Sequence, residues 1–217
     1  MKRHTCALFD LDGVIVDTAK YHFLAWKKIA TMFGYELTPS DNEELKGVSR
    51  SDSLNIILKL AQTTLEDSNI KRYLIQKNED YLKHIEDINP QDILPGIFET
   101  LTILKEKKVK IGLGSASKNA SIILDRLELT SFFDVIIDGN QVDKSKPHPE
   151  VFLRGSEALG VNPLQCVVFE DSSSGILAAK AAGMTAVAIG AYETFTKQDY
   201  CYPNFLPLVQ RGLGELF

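Results

Sequence analysis

Cysteine is scarce in this sequence: Cys6, Cys166 and Cys201 stand far apart, odd in number and outside any CxxC or Cys/His spacing. That excludes a disulfide framework and a zinc site, and Cys6 and Cys166, set in apolar runs, read as core. Long apolar runs are lacking as well. The longest stretch free of charged residues is 12 residues, Ala181 to Tyr192 for instance, against roughly 18 for a membrane-spanning helix. Met1-Lys2-Arg3 is basic, but the apolar run behind it is short and Asp10 interrupts it, so no signal segment is expected and the cytoplasm is the expected compartment. A basic patch is missing too. The net charge is -5, which argues against nucleic acid or an anionic membrane as partner and leaves a small anionic substrate met by a few local cations. There is neither an internal repeat nor a low-complexity tract. With 44% hydrophobic and 24% charged residues over 217 positions, the composition is that of a globular protein, expected to act as a monomer.

What is present is alternation. Short apolar, β-prone runs recur at Thr5–Phe9, Val109–Leu113, Val135–Ile137, Cys166–Phe169 and Thr185–Ile189. Between the later ones lie helix-like segments: Gly96–Lys107, Asn119–Leu127, Pro149–Leu159 and Ser174–Ala182. Continuous apolar strands alternating with helices imply βαβ units, hence a doubly wound, Rossmann-like parallel-sheet α/β core. About a hundred residues separate the first strand from the second, far more than one crossover needs. Thr18–Phe33, Asn42–Leu45, Ser51–Leu60 and Asp67–Ile85 read there as helices, with no strand between them. The expected organisation is therefore a core domain from 1–16 and 91–217, with a helical cap domain inserted over 17–90.

Open parallel sheets bind ligands beyond the carboxyl ends of their strands. The first strand is followed by Asp10-Leu11-Asp12-Gly13, the second by Ser115-Ala116-Ser117-Lys118-Asn119, the third by Asp138 and then Lys144-Ser145-Lys146-Pro147, the fourth by Glu170-Asp171-Ser172. Carboxylates in this number suit Mg²⁺ bridging to a phosphate oxygen, and lysine and serine suit the remaining phosphate oxygens. Asp10, at the strand end beside the metal, is placed as a covalent nucleophile on phosphorus. Asp12 lies two residues on and on the same side of an extended segment, so it can protonate the leaving oxygen and later activate the acceptor hydroxyl. Gly13 permits the turn that follows.

Each residue alone has a plainer reading. Ser115 or Ser172 after a strand is ordinarily a helix cap, Lys146 beside proline a solvated loop charge, and Glu170-Asp171 as much cap as metal ligand. Four strand ends carrying the set together are much less expected by chance.

Phe9-Asp10-Leu11-Asp12-Gly13-Val14, Ser115, Lys146-Pro147 and Glu170-Asp171, in this order, resemble the motif set of the haloacid dehalogenase superfamily. The resemblance implies Asp10 as nucleophile, Asp12 as acid and base, and Ser115 and Lys146 on the transferring phosphate. It also implies one Mg²⁺ held by Asp10, Glu170, Asp171 and the backbone carbonyl of Asp12. A narrower likeness, to the β-phosphoglucomutase family, rests on Asp17-Thr18-Ala19-Lys20-Tyr21-His22-Phe23-Leu24-Ala25-Trp26, Leu45-Lys46-Gly47-Val48-Ser49-Arg50, Lys77-Asn78 and Ser115 to Asn119. It implies interconversion of β-D-glucose 1-phosphate and glucose 6-phosphate through a bisphosphate, with a sugar-phosphate phosphatase as the alternative. It sets Thr18, His22, Trp26, Lys46, Gly47, Val48, Arg50, Lys77, Ala116, Ser117, Lys118 and Asn119 around the substrate. A mutase must hold a second, non-transferring phosphate, and Arg50 with Ser117, Lys118 and Asn119 can supply that site. From Tyr192 onward the likeness fades.

Overall fold

The computed structural model describes residues 4–191 and 195–217; the basic Met1-Lys2-Arg3 and the start of the stretch from Tyr192 lie outside it. Six strands, β1 (Cys6–Phe9), β2 (Lys110–Gly114), β3 (Val135–Ile137), β4 (Cys166–Glu170), β5 (Thr185–Ile189) and β6 (Tyr200–Tyr202), form one parallel sheet in the order β3-β2-β1-β4-β5-β6. The chain walks outward from β1 in one direction, then returns and walks outward in the other. The order reverses at β1 and β4, where an open sheet leaves its binding crevice.

Register decides what reaches that crevice. Phe9 lies level with Leu113 on one side and Phe169 on the other, so Asp10, Gly114 and Glu170 come next at the same height. The Asp10 amide extends the ladder by donating to the Phe169 carbonyl at 3.0 Å. The strands are apolar on both faces because both are covered. Phe9 and Phe169 stack at 4.8 Å and pack on Phe205 under one face, together with Ile97, Leu101 and Leu208. Leu8 and Val168 turn to the other face against Phe152 and Ile176. Cys6 and Cys166 are cross-strand partners in that second core, fully buried.

The covering helices are α5 (Ile97–Glu106), α6 (Ala120–Arg126), α7 (Glu150–Leu159), α8 (Ser173–Ala181) and α9 (Leu206–Gln210). Helices α1 (Ala19–Met32), α2 (Pro39–Leu45), α3 (Arg50–Leu60) and α4 (Asp67–His84) fill the interval between β1 and β2, with a separate apolar cluster of Trp26, Ile29, Leu37, Leu54 and Ile57. Helix α2 starts three residues earlier than its sequence suggested. Thr38 accepts the Asp41 amide while Asp41 accepts the Thr38 amide, and Pro39 opens the first turn. Strand β6 and helix α9 were not anticipated; they are three and five residues long, too short to show a period.

Candidate functional site

The loop after β1 turns sharply at Gly13, whose φ is +78°. A Cβ there would stand 2.1 Å from an Asp171 carboxylate oxygen, so glycine is needed both for the turn and for the approach of Asp171. Gly175, in the first turn of α8, is pressed on Glu170 in the same way. Oxygens of Asp10, Glu170 and Asp171 consequently lie within 4.8 Å of one another. All three are hard donors at one point, a set that fits a divalent cation such as Mg²⁺. The carboxylate of Asp12 is outside this cluster.

Lys146 is not a solvated loop charge. It is 2% exposed, with Nζ 2.7 Å from both Asp10 and Glu170. Glu170 is fully engaged: one oxygen accepts from Lys146, the other from the amide and hydroxyl of Ser172. Ser172 does cap α8 as well, accepting the Gly175 amide. Burial works against the Lys146 ammonium, but the two carboxylates outweigh it and hold its pKa above the ordinary range. Burial raises Asp10, against the pull of Lys146 and with repulsion from Glu170 and Asp12 added, to about 7. Burial and then repulsion from Glu170 and Asp10 push Asp171 well up. A bound dication would reverse these shifts.

Asp12 faces the helical insertion. Thr18 stands at the N-terminus of α1 but does not cap it; its hydroxyl donates to Asp12 instead. Burial raises the Asp12 carboxyl, and the Thr18 hydroxyl opposes that. Lys77 Nζ lies 2.6 Å from His22 Nδ1. With Lys77 charged, the ammonium donates, Nδ1 accepts and the ring proton belongs on Nε2, 3.6 Å from Asp12 Oδ1. That contact is neutral rather than an ion pair, because burial and then the Lys77 and Arg50 charges hold His22 well below its ordinary range. Lys77 is itself 2% exposed, lies over the Trp26 and Tyr81 rings, and is drawn down to about 7 chiefly by burial.

One cleft unites the two halves. Asp10, Asp12 and Asp171 line its floor; His22, Trp26, Lys46, Gly47, Val48, Arg50 and Lys77 come from the insertion; Ala116, Ser117 and Lys118 come from the loop after β2. Several expected residues are engaged with protein groups. Ser115 is fully buried and accepts the Ser117 amide beneath the cleft, Thr18 is buried against Asp12, and Asn119 is buried with its amide donated to Asn78. Lys46 has its ammonium on Glu43 at 2.9 Å, inside the insertion. Gly47 does approach something closely, and it is protein: a Cβ there would meet the hydroxyls of Ser174 and Ser172 at 2.6 and 2.7 Å. The adjoining Lys46 carbonyl accepts from Ser174 at 2.8 Å, which seats the insertion on the start of α8.

Of the cations lining the cleft, Lys46 pairs with Glu43 and the buried Lys77 contacts neutral His22; Arg50 and Lys118 are the other two. Among the described residues neither guanidinium nor ammonium has a carboxylate partner, and Arg50 donates only to the neutral Asn78. Asn42, Leu45 and Ser53 also line the cleft. Sequence reasoning quoted Leu45 in a motif without placing it in the site, and it missed Asn42 and Ser53, since a polar residue on a helix carries no local signal of a cavity.

Comparison with known proteins agrees with this geometry. The haloacid dehalogenase-like hydrolase family profile matches residues 7–189. The β-phosphoglucomutase of Bacillus subtilis is 45% identical over 185 residues, 84% of this chain and 82% of that protein. A Thermotoga maritima phosphatase of phosphorylated carbohydrates is 32% identical over 83% of this chain and 82% of its own. The crystal structure of a Clostridium difficile β-phosphoglucomutase superposes with a TM-score of 0.92 at 39% identity, covering 98% of each chain. The protein is an enzyme of the haloacid dehalogenase-like hydrolase family.

Proposed function

We propose that this enzyme is a Mg²⁺-dependent mutase that interconverts β-D-glucose 1-phosphate and glucose 6-phosphate through a phospho-Asp10 enzyme and a glucose 1,6-bisphosphate intermediate. The observation that carries the reading is the pair of unspent cations, Arg50 and Lys118, facing the same cleft as Asp10. A phosphatase needs one phosphate site; a cleft with a nucleophile at one end and two unpaired cations elsewhere suits a substrate with phosphate at both ends.

Asp10, Glu170 and Asp171 would hold Mg²⁺, which when bound supplies positive charge to the transferring phosphoryl group. Lys146, fixed between Asp10 and Glu170, adds a second cation and keeps the nucleophile oriented. An Asp10 oxygen forms a bond to phosphorus as the bond from phosphorus to the sugar oxygen breaks, and protonated Asp12 gives that oxygen its proton. In the return step Asp12, now a carboxylate, takes the proton of the 6-hydroxyl of an incoming β-glucose 1-phosphate as that oxygen attacks phospho-Asp10 and the bond from Asp10 to phosphorus breaks, which re-forms the 1,6-bisphosphate. Thr18 and neutral His22 border Asp12 and fix the direction in which its carboxyl points. The helical insertion, residues 17–90, acts as a cap that excludes water from the phospho-enzyme, in a protein expected to work as a monomer.

The second reading, a sugar-phosphate phosphatase, is favoured by the Thermotoga relative. One assay separates them: protein, Mg²⁺, a bisphosphate primer and β-glucose 1-phosphate, with glucose 6-phosphate and free phosphate followed together. Isomerisation without phosphate release supports the mutase; stoichiometric phosphate release replaces it by the phosphatase.

A further inference from the structure

Helix α4 contributes one residue to the site that no motif assigned a task. Asn78 Oδ1 accepts from Arg50 at 2.6 Å and from the side-chain amide of Asn119 at 2.9 Å. Arg50 opens α3 and Asn119 precedes α6, so a single carbonyl oxygen joins two helices of the insertion to the loop after β2. Arg50 is part-buried and pays for it: desolvation pulls its pKa down. A guanidinium so placed is ordinarily met by a carboxylate. Here it is met by a neutral amide, and among the described residues no ion pair completes it.

We propose that Asn78 is a positioning residue that aims Arg50 into the cleft without neutralising it, keeping its charge for the non-transferring phosphate, and that its second bond, to Asn119, brings the aimed guanidinium up to the loop after β2 when the insertion is seated there. The inference rests on the reading of Arg50 as a phosphate ligand and deepens it. An aspartate at 78 would accept the same two hydrogen bonds with the same shape. It would also cancel the charge the phosphate needs, so the amide is a choice between two acceptors of equal geometry. The Asn119 arm adds the dependence on closure. With the insertion lifted away, Asn78 keeps Arg50 but loses the Asn119 donor, so the guanidinium parts from the loop after β2 and the second phosphate site is completed by the closing movement.

The test is Asn78→Asp in the full chain with Mg²⁺ and a bisphosphate primer. A purely structural Asn78 predicts parent-like kinetics, because both hydrogen bonds survive. The proposal predicts a KM for β-glucose 1-phosphate raised about ten-fold or more, the loss of one charge-assisted phosphate contact, with kcat much less affected and a melting temperature no lower than the parent's. Asn78→Ala, which removes the anchor and adds no charge, should also raise KM, and it carries the test should the aspartate variant not fold. Parent-like KM in the folded variant overturns the proposal, provided Arg50→Ala is impaired. If Arg50→Ala itself binds sugar phosphate as the parent does, it is the second phosphate site that is wrong.

Discussion

The edge of the sheet and the helical insertion solve opposite electrostatic problems. At the strand ends charge is spent internally: Lys146 lies 2.7 Å from two carboxylates, and Asp10, Glu170 and Asp171 crowd one point. On the cleft face of the insertion and in the loop opposite, positive charge is stored: among the described residues Arg50 and Lys118 have no carboxylate, and Lys77 is buried against a neutral histidine. At the cleft the strand ends gather carboxylates and invite a cation, and the facing wall presents Arg50, Lys77 and Lys118 and invites an anion. A Mg²⁺ and a doubly phosphorylated sugar would complete both, which is why the two halves make chemical sense only as a pair.

The comparison breaks most visibly at the sheet edge. Asp10→Asn should remove turnover, by roughly 10⁴-fold or more, together with all acid-labile phosphoenzyme; phosphoenzyme surviving in that variant would move the nucleophile elsewhere. Asp12→Asn keeps the nucleophile, so labelling by a small donor with a good leaving group should persist while sugar turnover collapses. On the insertion side the loss is smaller. Arg50→Ala or Lys118→Ala should cost about ten- to a hundred-fold in isomerisation, the worth of a charge-assisted hydrogen bond, and steady-state assays against parent-level phosphorylation by acetyl phosphate read it directly.

Two further measurements set the charges against pH. Asp10 is raised in the fold to about 7 and Asp171 is raised as well. Their protonated forms stabilise the metal-free protein below the ordinary carboxylate pKa of about 4, and that stability is lost as pH climbs through about 7. Mg²⁺ should therefore raise the melting temperature more at pH 8 than at pH 5, by about 5 °C or more at saturation; an equal shift at both, or full activity after exhaustive chelation, contradicts the metal cluster. Lys77 runs the other way. Its pKa falls to about 7, so the fold regains stability only as pH rises from about 7 toward the unfolded value near 10.4. Lys77→Met should melt a few degrees above the parent at pH 6, with the gap narrowing by pH 9, while its sugar turnover drops; thermal scans across that range check the sign.

Strands β1 to β5 were legible because buried parallel strands are continuous apolar runs, and the catalytic loops because each follows such a run. The insertion was legible as helices, since α1 and α4 have long amphipathic periods. What stayed hidden depends on contacts between distant segments. Nothing near Gly47 announces the hydroxyls of Ser172 and Ser174, whereas the pairing of Lys46 with Glu43, three residues apart, was open to local reading. Lys146 reads as solvated until the fold buries it. The start of α2 was readable, Thr38 and Asp41 forming the capping pair with an aspartate where glutamate is the familiar sign.

The shortness of the outermost strands has a consequence for how the protein behaves among its own copies. Strands β3 and β6 are three residues each. An exposed sheet border is a template on which another chain can add a strand, and its hazard grows with the length of free backbone it offers. Here the fully buried apolar strands β1 and β4 are paired on both sides at the centre of the sheet. The borders left to solvent are too brief to seed a ladder, so the same strand order that brings Asp10 beside Glu170 also guards the folded protein against edge-to-edge association.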